Sequence, residues 1–247
     1  MTEPHSFAIQ SLKSRTKNRM KILDKIPIRL DLKEVAKGLN WRERPGASIS
    51  LPELIKDAES LIKTKIVYKV SYVERREEDK VTIEGVTFSS RVLYKNLEAV
   101  ERVFPFIITI GKDLESYAGG CRDLLKQYCL EGMADMALGK AAEHLEKHLK
   151  SRHGLAGLSS MSPGSLEDWP ITEQKSLFSL FGESEKLVGV KLTEHMLMIP
   201  RKSISGIFFP TEANFLSCQL CSRKNCPGRR AAYDRNLRKK YGLDEEE

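Results

Sequence analysis

The longest periodic segment of the sequence, from about Cys121 to Ser151, places the strongest constraint on the fold. Apolar and small residues recur there at spacings of three and four, which predicts an amphipathic helix facing a core. The preceding run, from Arg102 to Ile110, is almost continuously apolar and is typical of a central strand, ended by Gly111. The sequence therefore predicts a long helix packed near a buried strand.

Shorter elements are predicted on both sides of this pair. Alternating apolar residues from Ile26 to Leu32 predict an edge strand, because Pro27 cannot donate a backbone hydrogen bond. Strands and helices are interspersed without a regular βαβ rhythm, which favours an α+β fold. The other predicted elements are strands at 66–73, 81–88, 188–198 and 204–209, helices after Asp31 and at 52–63 and 172–181, and loops at 46–50, 74–80 and 154–170.

Length and composition exclude several classes of protein. The chain has 247 residues, enough for one large or two small domains, with 40% hydrophobic and 30% charged residues. This balance argues against disorder of the whole chain. A membrane span needs about 20 consecutive apolar residues, and the sequence has no such run. Residues 1–10 lack the apolar centre of a secretory signal, so we expect a cytoplasmic protein with no membrane partner.

Positive charge is concentrated at both ends of the chain, within a net charge of +7. Residues 13–29 and 223–240 are rich in Lys and Arg, while an acidic tip occupies 244–247. Such ends indicate solvated, partly frayed termini, or else a surface for an anionic partner.

Three of the five cysteines lie at a spacing typical of metal or cluster ligation, namely Cys218, Cys221 and Cys226. In a reducing compartment such thiols bind an iron-sulfur cluster or zinc more readily than they form disulfides, and unligated cysteines are the third possibility. A fourth ligand is missing from the motif. Cys121 and Cys129 are candidates for it, although each is also interpreted as a small buried residue.

A second group of motifs lies between Ser160 and Gly206. It comprises Pro163-Gly164, Pro170, Gln174 and Phe178, then Leu192-Thr193-Glu194, Met198, Pro200 and Ser203 to Gly206, with Ile26-Pro27-Ile28 and Thr109-Ile110-Gly111 upstream. In this order the motifs resemble the activation domain of cobalamin-dependent methionine synthase, and especially its stand-alone relatives. The resemblance extends over roughly residues 25–215.

The resemblance implies a C-shaped single domain with a twisted antiparallel sheet and flanking helices. In that family the domain binds S-adenosylmethionine and presents it to a corrinoid whose inactive cobalt form is being reduced and remethylated. The positions that the resemblance assigns to cofactor binding are Asp135, Pro163, Gly164 and Glu194, and His195 next to Glu194 is a further candidate.

The chain departs from the family pattern at several of these positions. The family's Arg-x-x-x-Gly-Tyr loop has Ser160 here in place of Arg and Ser165 in place of Tyr. Serine provides neither a guanidinium fork nor a stacking ring, which counts against adenosylmethionine binding. His195 stands where the family has a small residue, and it is a candidate cobalt-side or cluster-side ligand or else a core histidine.

The sequence lacks the Asp-x-His-x-x-Gly corrinoid-binding motif and a zinc-thiolate homocysteine site. We therefore expect an accessory protein, acting on a separate corrinoid methyltransferase and passing electrons from a donor protein through an iron-sulfur cluster. Whether it is itself an enzyme is left open. The alternative is a non-catalytic, zinc-stapled binding module for an acidic protein or, less readily, nucleic acid. The expected domains are a basic arm at 1–24, the activation-like domain at 25–215 and a cysteine-rich tail at 216–247.

Overall fold

The computed structural model describes residues 20–42, 49–213, 215–226 and 228–243. Most of the predicted basic arm, most of the loop at 46–50 and the acidic tip lie outside the described residues. In the described part of the chain, no helix is long and apolar enough to cross a membrane.

Strands and short helices alternate along the chain without a repeated βαβ order. The strands are β1 (Met20–Asp24), β2 (Lys65–Lys69), β3 (Ser71–Glu77), β4 (Lys80–Ile83), β5 (Val86–Ser89), β6 (Arg102–Thr109), β7 (Leu158–Met161), β8 (Lys191–Leu192), β9 (Met198–Ile199) and β10 (Ser203–Pro210). The helices are α1 (Leu32–Gly38), α2 (Leu51–Leu61), α3 (Arg91–Asn96), α4 (Asp113–Gly119), α5 (Leu124–His153), α6 (Gln174–Ser179), α7 (Ser184–Val188) and α8 (Arg235–Lys240).

Strand β6 is the centre of the main sheet, as its apolar run predicts. One edge of β6 pairs with β2 and then β3, and the other edge pairs with β10, all antiparallel. Strand β1 lies outside β2, and β7 lies outside β10. Strands β3, β4 and β5 continue as an antiparallel meander. The predicted α+β class with an antiparallel sheet and flanking helices is confirmed.

Each face of the sheet is covered by its own hydrophobic cluster. On one face, Phe106 and Ile108 of β6 belong to the cluster that includes the buried residues of α5. On the other face, Ile107 packs with Trp169 and with residues near the C-terminus. Because successive strand residues point to opposite faces, burial on both faces explains why β6 is continuously apolar rather than alternating.

The predicted strand at 26–32 is wrong, and the strand of this region is β1 at 20–24. Ile26, Ile28 and Leu30 are buried as the alternation predicts, but they lie in extended chain outside the sheet. The backbone N–H of Leu30 donates to Glu59 Oε1 at 2.7 Å, and so bonds to a side chain instead of a neighbouring strand. Alternating burial alone therefore does not establish strand pairing.

The region between 66 and 88 has more strands than predicted. The charged stretch 74–77 continues β3, and the turn is confined to Glu78 and Asp79, both with positive φ. A second tight turn at Glu84-Gly85 divides the predicted strand 81–88 into β4 and β5. Charged residues fit β3 because one of its faces is open to solvent.

The predicted loop at 154–170 contains strand β7, and the predicted closing pair 188–198 and 204–209 does not form. Strand β10 pairs with β6 and β7, whereas β8 and β9 form a separate hairpin. The predicted Ser-x-Ser-Gly turn lies inside β10, where a Cβ on Gly206 would come within 2.5 Å of the Met161 carbonyl oxygen. Glycine is thus required by close packing rather than by a turn.

The long helix is present as α5, begun by the Asp123 side chain, which accepts from Leu125 N–H at 2.9 Å, and ended by Gly154 at φ 63°. Leu125 and Tyr128, expected to face the core, are 51% and 56% exposed. They line an open groove of about 470 Å³ beside Trp41. The first turns of α5 are therefore less covered than the periodicity predicts.

Candidate functional site

The C-terminal segment, residues 215–243, is anchored to the sheet by buried side chains. Phe215 is 3% exposed and Leu220 is fully buried, and Leu237, Tyr241 and Leu243 pack against the same cluster as Trp169. This packing contradicts the interpretation of a frayed basic terminus for these residues. The predicted boundary near residue 215, between the activation-like domain and a separate cysteine-rich tail, stays a prediction.

Polar contacts join the same segment to α3. Tyr241 donates its hydroxyl hydrogen to Asn96 Oδ1 at 3.0 Å, and Arg91 donates to the Gly242 carbonyl at 2.7 Å. The start of α3 is held in turn by Asp168, whose carboxylate accepts from the Ser90 hydroxyl and from Val92 N–H at 3.0 Å. Helix α3 thus connects the loop that contains Asp168 to the C-terminal segment.

The cysteine loop at 218–231 is organised around one guanidinium group. Arg229 donates to the carbonyl oxygens of Cys218 at 3.0 Å, Cys221 at 3.2 Å and Ala231 at 3.3 Å, and also to that of Arg223. The Cys218 carbonyl also accepts from the Cys221 N–H at 3.4 Å, so Arg229 adds a side-chain donor to the backbone acceptors of this loop. The three motif cysteines are free thiols and half-buried.

The predicted metal centre is not assembled by this arrangement. Among the described residues, which include all three motif cysteines, no group of three or more His, Cys, Asp or Glu side chains is placed to hold a metal ion. Cys121 precedes α5 and donates its thiol to the Tyr117 carbonyl at 3.3 Å. Cys129 is buried in α5, where burial and then the charge of Asp123 raise the pKa of its thiol. The residues as placed do not fit a cluster or zinc, and the metal site stays a prediction.

Pro163 and Gly164 lie in a compact loop whose ends are joined by hydrogen bonds. Gly164 has φ 82° and donates its N–H to the Trp169 carbonyl at 2.7 Å, while Ser165 N–H donates to the Ser162 carbonyl at 3.1 Å. Pro163 is buried, whereas Gly164 is exposed. The positive φ is a conformation that glycine adopts without strain.

A cavity of about 620 Å³ lies between this loop and the C-terminal segment. Sequence analysis singled out Gly164, Ser165 and Cys221 separately, and the fold brings all three to its lining. The basic stretch 223–240 was noted for its charge alone, and Arg91 was missed because it lies in no motif. The arginines that line the cavity are Arg91, Arg223 and Arg238. Ser160, at the family's Arg position, lies in β7 opposite Phe208 and outside this lining.

The β8–β9 hairpin presents Glu194 and His195 to solvent. Their side chains are 84% and 80% exposed, with Glu194 Oε1 at 3.5 Å from His195 Nε2. Thr193 N–H donates to the Leu197 carbonyl at 2.8 Å and closes the turn. His195 is therefore not a core histidine.

Asp135 belongs to a charged network on α5. Lys202 Nζ lies 2.6 Å from Asp135 and 2.9 Å from Glu131, and Arg201 reaches Glu131 at 3.2 Å and Glu115 at 2.6 Å. Burial lowers the pKa of Lys202, but its hydrogen bonds to Asp135 and Glu131 outweigh that effect and the pKa is raised. Although Asp135 is paired, its side chain stays 68% exposed.

Other motif residues serve the packing of the fold. Gln174 is 3% exposed and donates to the Ser205 hydroxyl at 3.2 Å, which links α6 to β10. Phe178 is buried in the same cluster as Trp169. Gln174 and Phe178 therefore belong to the motifs because they stabilise the fold, and the structure gives them no place at a reaction centre.

The fold is similar to that of a domain of known structure. The crystal structure of the MetH reactivation domain bound to AdoHcy has the same fold, with a TM-score of 0.53 and 14% identity over 80% of this chain and 81% of that chain. Residues 163–228, about a quarter of the chain, match the family described as the activation domain of vitamin B12 dependent methionine synthase. The two matches confirm the resemblance predicted from the sequence. No curated protein sequence matches.

Proposed function

We propose that this protein acts in the reductive reactivation of a corrinoid-dependent methyltransferase, by docking on a separate corrinoid-binding protein. The observation that carries the proposal is that the family-matched segment, residues 163–228, contains a hairpin whose polar residues project from a domain with the reactivation fold. Asp135, on the neighbouring charged network, is the second polar group of the proposed docking surface.

The β8–β9 hairpin has the chemistry that a corrinoid partner requires. The carboxylate of Glu194 accepts hydrogen bonds from amide groups, and an imidazole such as that of His195 is a ligand for transition metals. Leu197 and Ile199 on the same hairpin are 64% and 53% exposed. Exposed apolar side chains beside exposed polar groups are typical of a surface that a partner covers.

Adenosylmethionine as the methyl donor is a finer part of this proposal. The structurally similar domain was crystallised with AdoHcy, and Gly164 keeps the family's glycine with a left-handed backbone. Ser160 and Ser165 replace the family's Arg and Tyr, so any binding has to use other contacts. The source of electrons is proposed to be a separate donor protein in the cytoplasm.

No electron path is assigned to the cysteines, because they do not fit a metal centre as placed. The iron-sulfur cluster is tested by anaerobic purification, iron and sulfide analysis and a visible spectrum, with Cys221→Ser beside Cys121→Ser. A cluster lost only in Cys221→Ser would establish the motif as its ligand set. Colourless protein with stoichiometric zinc would favour the zinc-stapled module. Packing of Phe215 and Leu220 already anchors the segment without such a staple.

Reactivation is tested with a cobalamin-loaded methionine synthase held in the cob(II)alamin state, a chemical reductant and adenosylmethionine. We expect the wild-type protein to accelerate the loss of cob(II)alamin absorbance and the appearance of methylcobalamin. Glu194→Ala with His195→Ala should lower this rate about 10-fold or more, the scale of one lost charged contact. The matched control is Glu143→Ala with His144→Ala, an exposed Glu-His pair on α5. No acceleration by the wild-type protein, or equal activity of the hairpin variant, would refute the function.

A further inference from the structure

The cavity between the Gly164 loop and the C-terminal segment has the size of a small-molecule site. Its volume of about 620 Å³ is within the roughly 300–1,000 Å³ of ligand pockets. Its walls come from the loop at 164–168, the first residue of α3 and the C-terminal segment. The cavity therefore exists only because the C-terminal segment is packed in place.

The charge of the lining is dominated by guanidinium groups. Arginines from three separate elements face two acidic residues, Glu167 and Asp168. Asp168 is already engaged, because its carboxylate accepts from Ser90 and Val92 and is only 9% exposed. Within the described residues, Glu167 forms no ion pair with any of these arginines.

Two of the arginines are available to a ligand. Neither Arg223 nor Arg238 forms an ion pair with a carboxylate among the described residues, and Arg238 donates a single hydrogen bond, to the Leu220 carbonyl at 2.9 Å. The backbone carbonyl of Arg223 accepts from Arg229, which fixes the chain from which the Arg223 side chain projects. Arg91 is closer to being neutralised, lying 3.7 Å from Asp79 and 3.9 Å from Asp168.

We infer that this cavity binds a small molecule through a carboxylate or phosphate group held by Arg223 and Arg238. A guanidinium presents a planar fork of donors that matches both anions. The C-terminal segment thereby provides two of the three guanidinium groups of the lining. The inference does not depend on the corrinoid step.

The test measures binding of three adenosine compounds to the full-length protein by calorimetry. S-adenosylhomocysteine carries a carboxylate, AMP carries a phosphate, and adenosine carries neither. We expect at least one charged compound to bind about 10-fold or more tightly than adenosine, and Arg223→Gln to remove most of that difference. Preference for S-adenosylhomocysteine or for AMP identifies the anion.

Arg235→Gln is the matched control, because Arg235 is exposed in the same segment and does not line the cavity. Circular dichroism checks folding of both variants, and Arg238→Gln is the second test should Arg223→Gln misfold. Equal binding of adenosine, no binding of either charged compound, or unchanged affinity in Arg223→Gln would overturn the inference. Since reactivation is measured separately with the hairpin variant, failure here counts against adenosylmethionine as the donor but leaves docking through the hairpin standing, and failure of docking leaves the cavity inference standing.

Discussion

The C-terminal segment and the β8–β9 hairpin are both rich in polar residues, but the fold uses those residues differently. In the segment, Arg229 binds four backbone carbonyls and Tyr241 binds Asn96, around the buried side chain of Leu220. In the hairpin, Glu194 and His195 stay exposed. Polar side chains of the C-terminal segment, such as those of Arg229 and Tyr241, therefore stabilise its structure. The hairpin residues instead leave their side chains exposed to solvent.

The largest expected effect is on the anchor of the C-terminal segment. Leu220→Ala removes a fully buried side chain and should lower the free energy of unfolding by about 2–5 kcal/mol, from lost burial and the cavity left behind. Urea denaturation measures the change. Leu197→Ala, at a 64% exposed position of the hairpin, is the control and should change stability by less than about 0.5 kcal/mol. Equal effects of the two changes would remove the distinction between the regions.

The next effect concerns the guanidinium at the centre of the cysteine loop. Arg229→Ala removes the charged donor from several carbonyl oxygens of the loop and should cost about 1.5–3 kcal/mol, the range for hydrogen bonds to a charged group. Arg230→Ala, an exposed neighbour, is the matched control. Thermal unfolding of the two variants separates a structural arginine from a solvated one. A small effect of Arg229→Ala would mean that the loop does not depend on this group.

A smaller effect is expected at Tyr241 and depends on pH. Burial raises the pKa of Tyr241. The folded state thus favours the protonated phenol, so its contribution to stability is present below the ordinary pKa of 10.0 and is lost as the pH rises above it. Tyr241→Phe should cost about 1 kcal/mol at pH 8 and reduce the alkaline loss of stability. Tyr233→Phe, at an exposed position, should leave both unchanged.

The smallest effect on stability is expected at the hairpin tip. Glu194→Ala with His195→Ala should change the free energy of unfolding by less than about 0.5 kcal/mol, because both side chains are exposed. Denaturation measured beside the reactivation assay tells lost function from lost folding. A destabilised double variant would show that the tip supports the fold and would weaken its assignment to a partner.

Sequence patterns predicted the elements that burial determines. Strand β6 follows from a continuous apolar run and helix α5 from apolar residues spaced three and four apart. The predicted Asp31 cap of α1 is confirmed, accepting from Lys33 N–H at 2.9 Å. Pairing between strands was predicted less well, because it depends on residues far apart in the chain. Gly206 of β10, for example, is required by its close contact with Met161 of β7, which no local sequence pattern contains.

The candidate site shows the same limit. Family motifs identified Gly164 and the hairpin residues, but the cavity requires Arg91 and Arg238, which are brought together only by packing of the C-terminal segment. Cysteine spacing predicted a metal centre, whereas the observed loop closes around Arg229. Spacing indicates which groups are able to ligate a metal, and the surrounding contacts decide whether they converge.

Amide hydrogen exchange tests the central claim most directly, measured with and without cobalamin-loaded methionine synthase. Docking through the hairpin predicts slower exchange in peptides covering 191–199, with little change in those covering 217–230. The Glu194→Ala, His195→Ala variant should lose this protection, and the Glu143→Ala, His144→Ala control should keep it. Protection confined to 217–230, or no protection of 191–199 at saturating partner, would contradict the account.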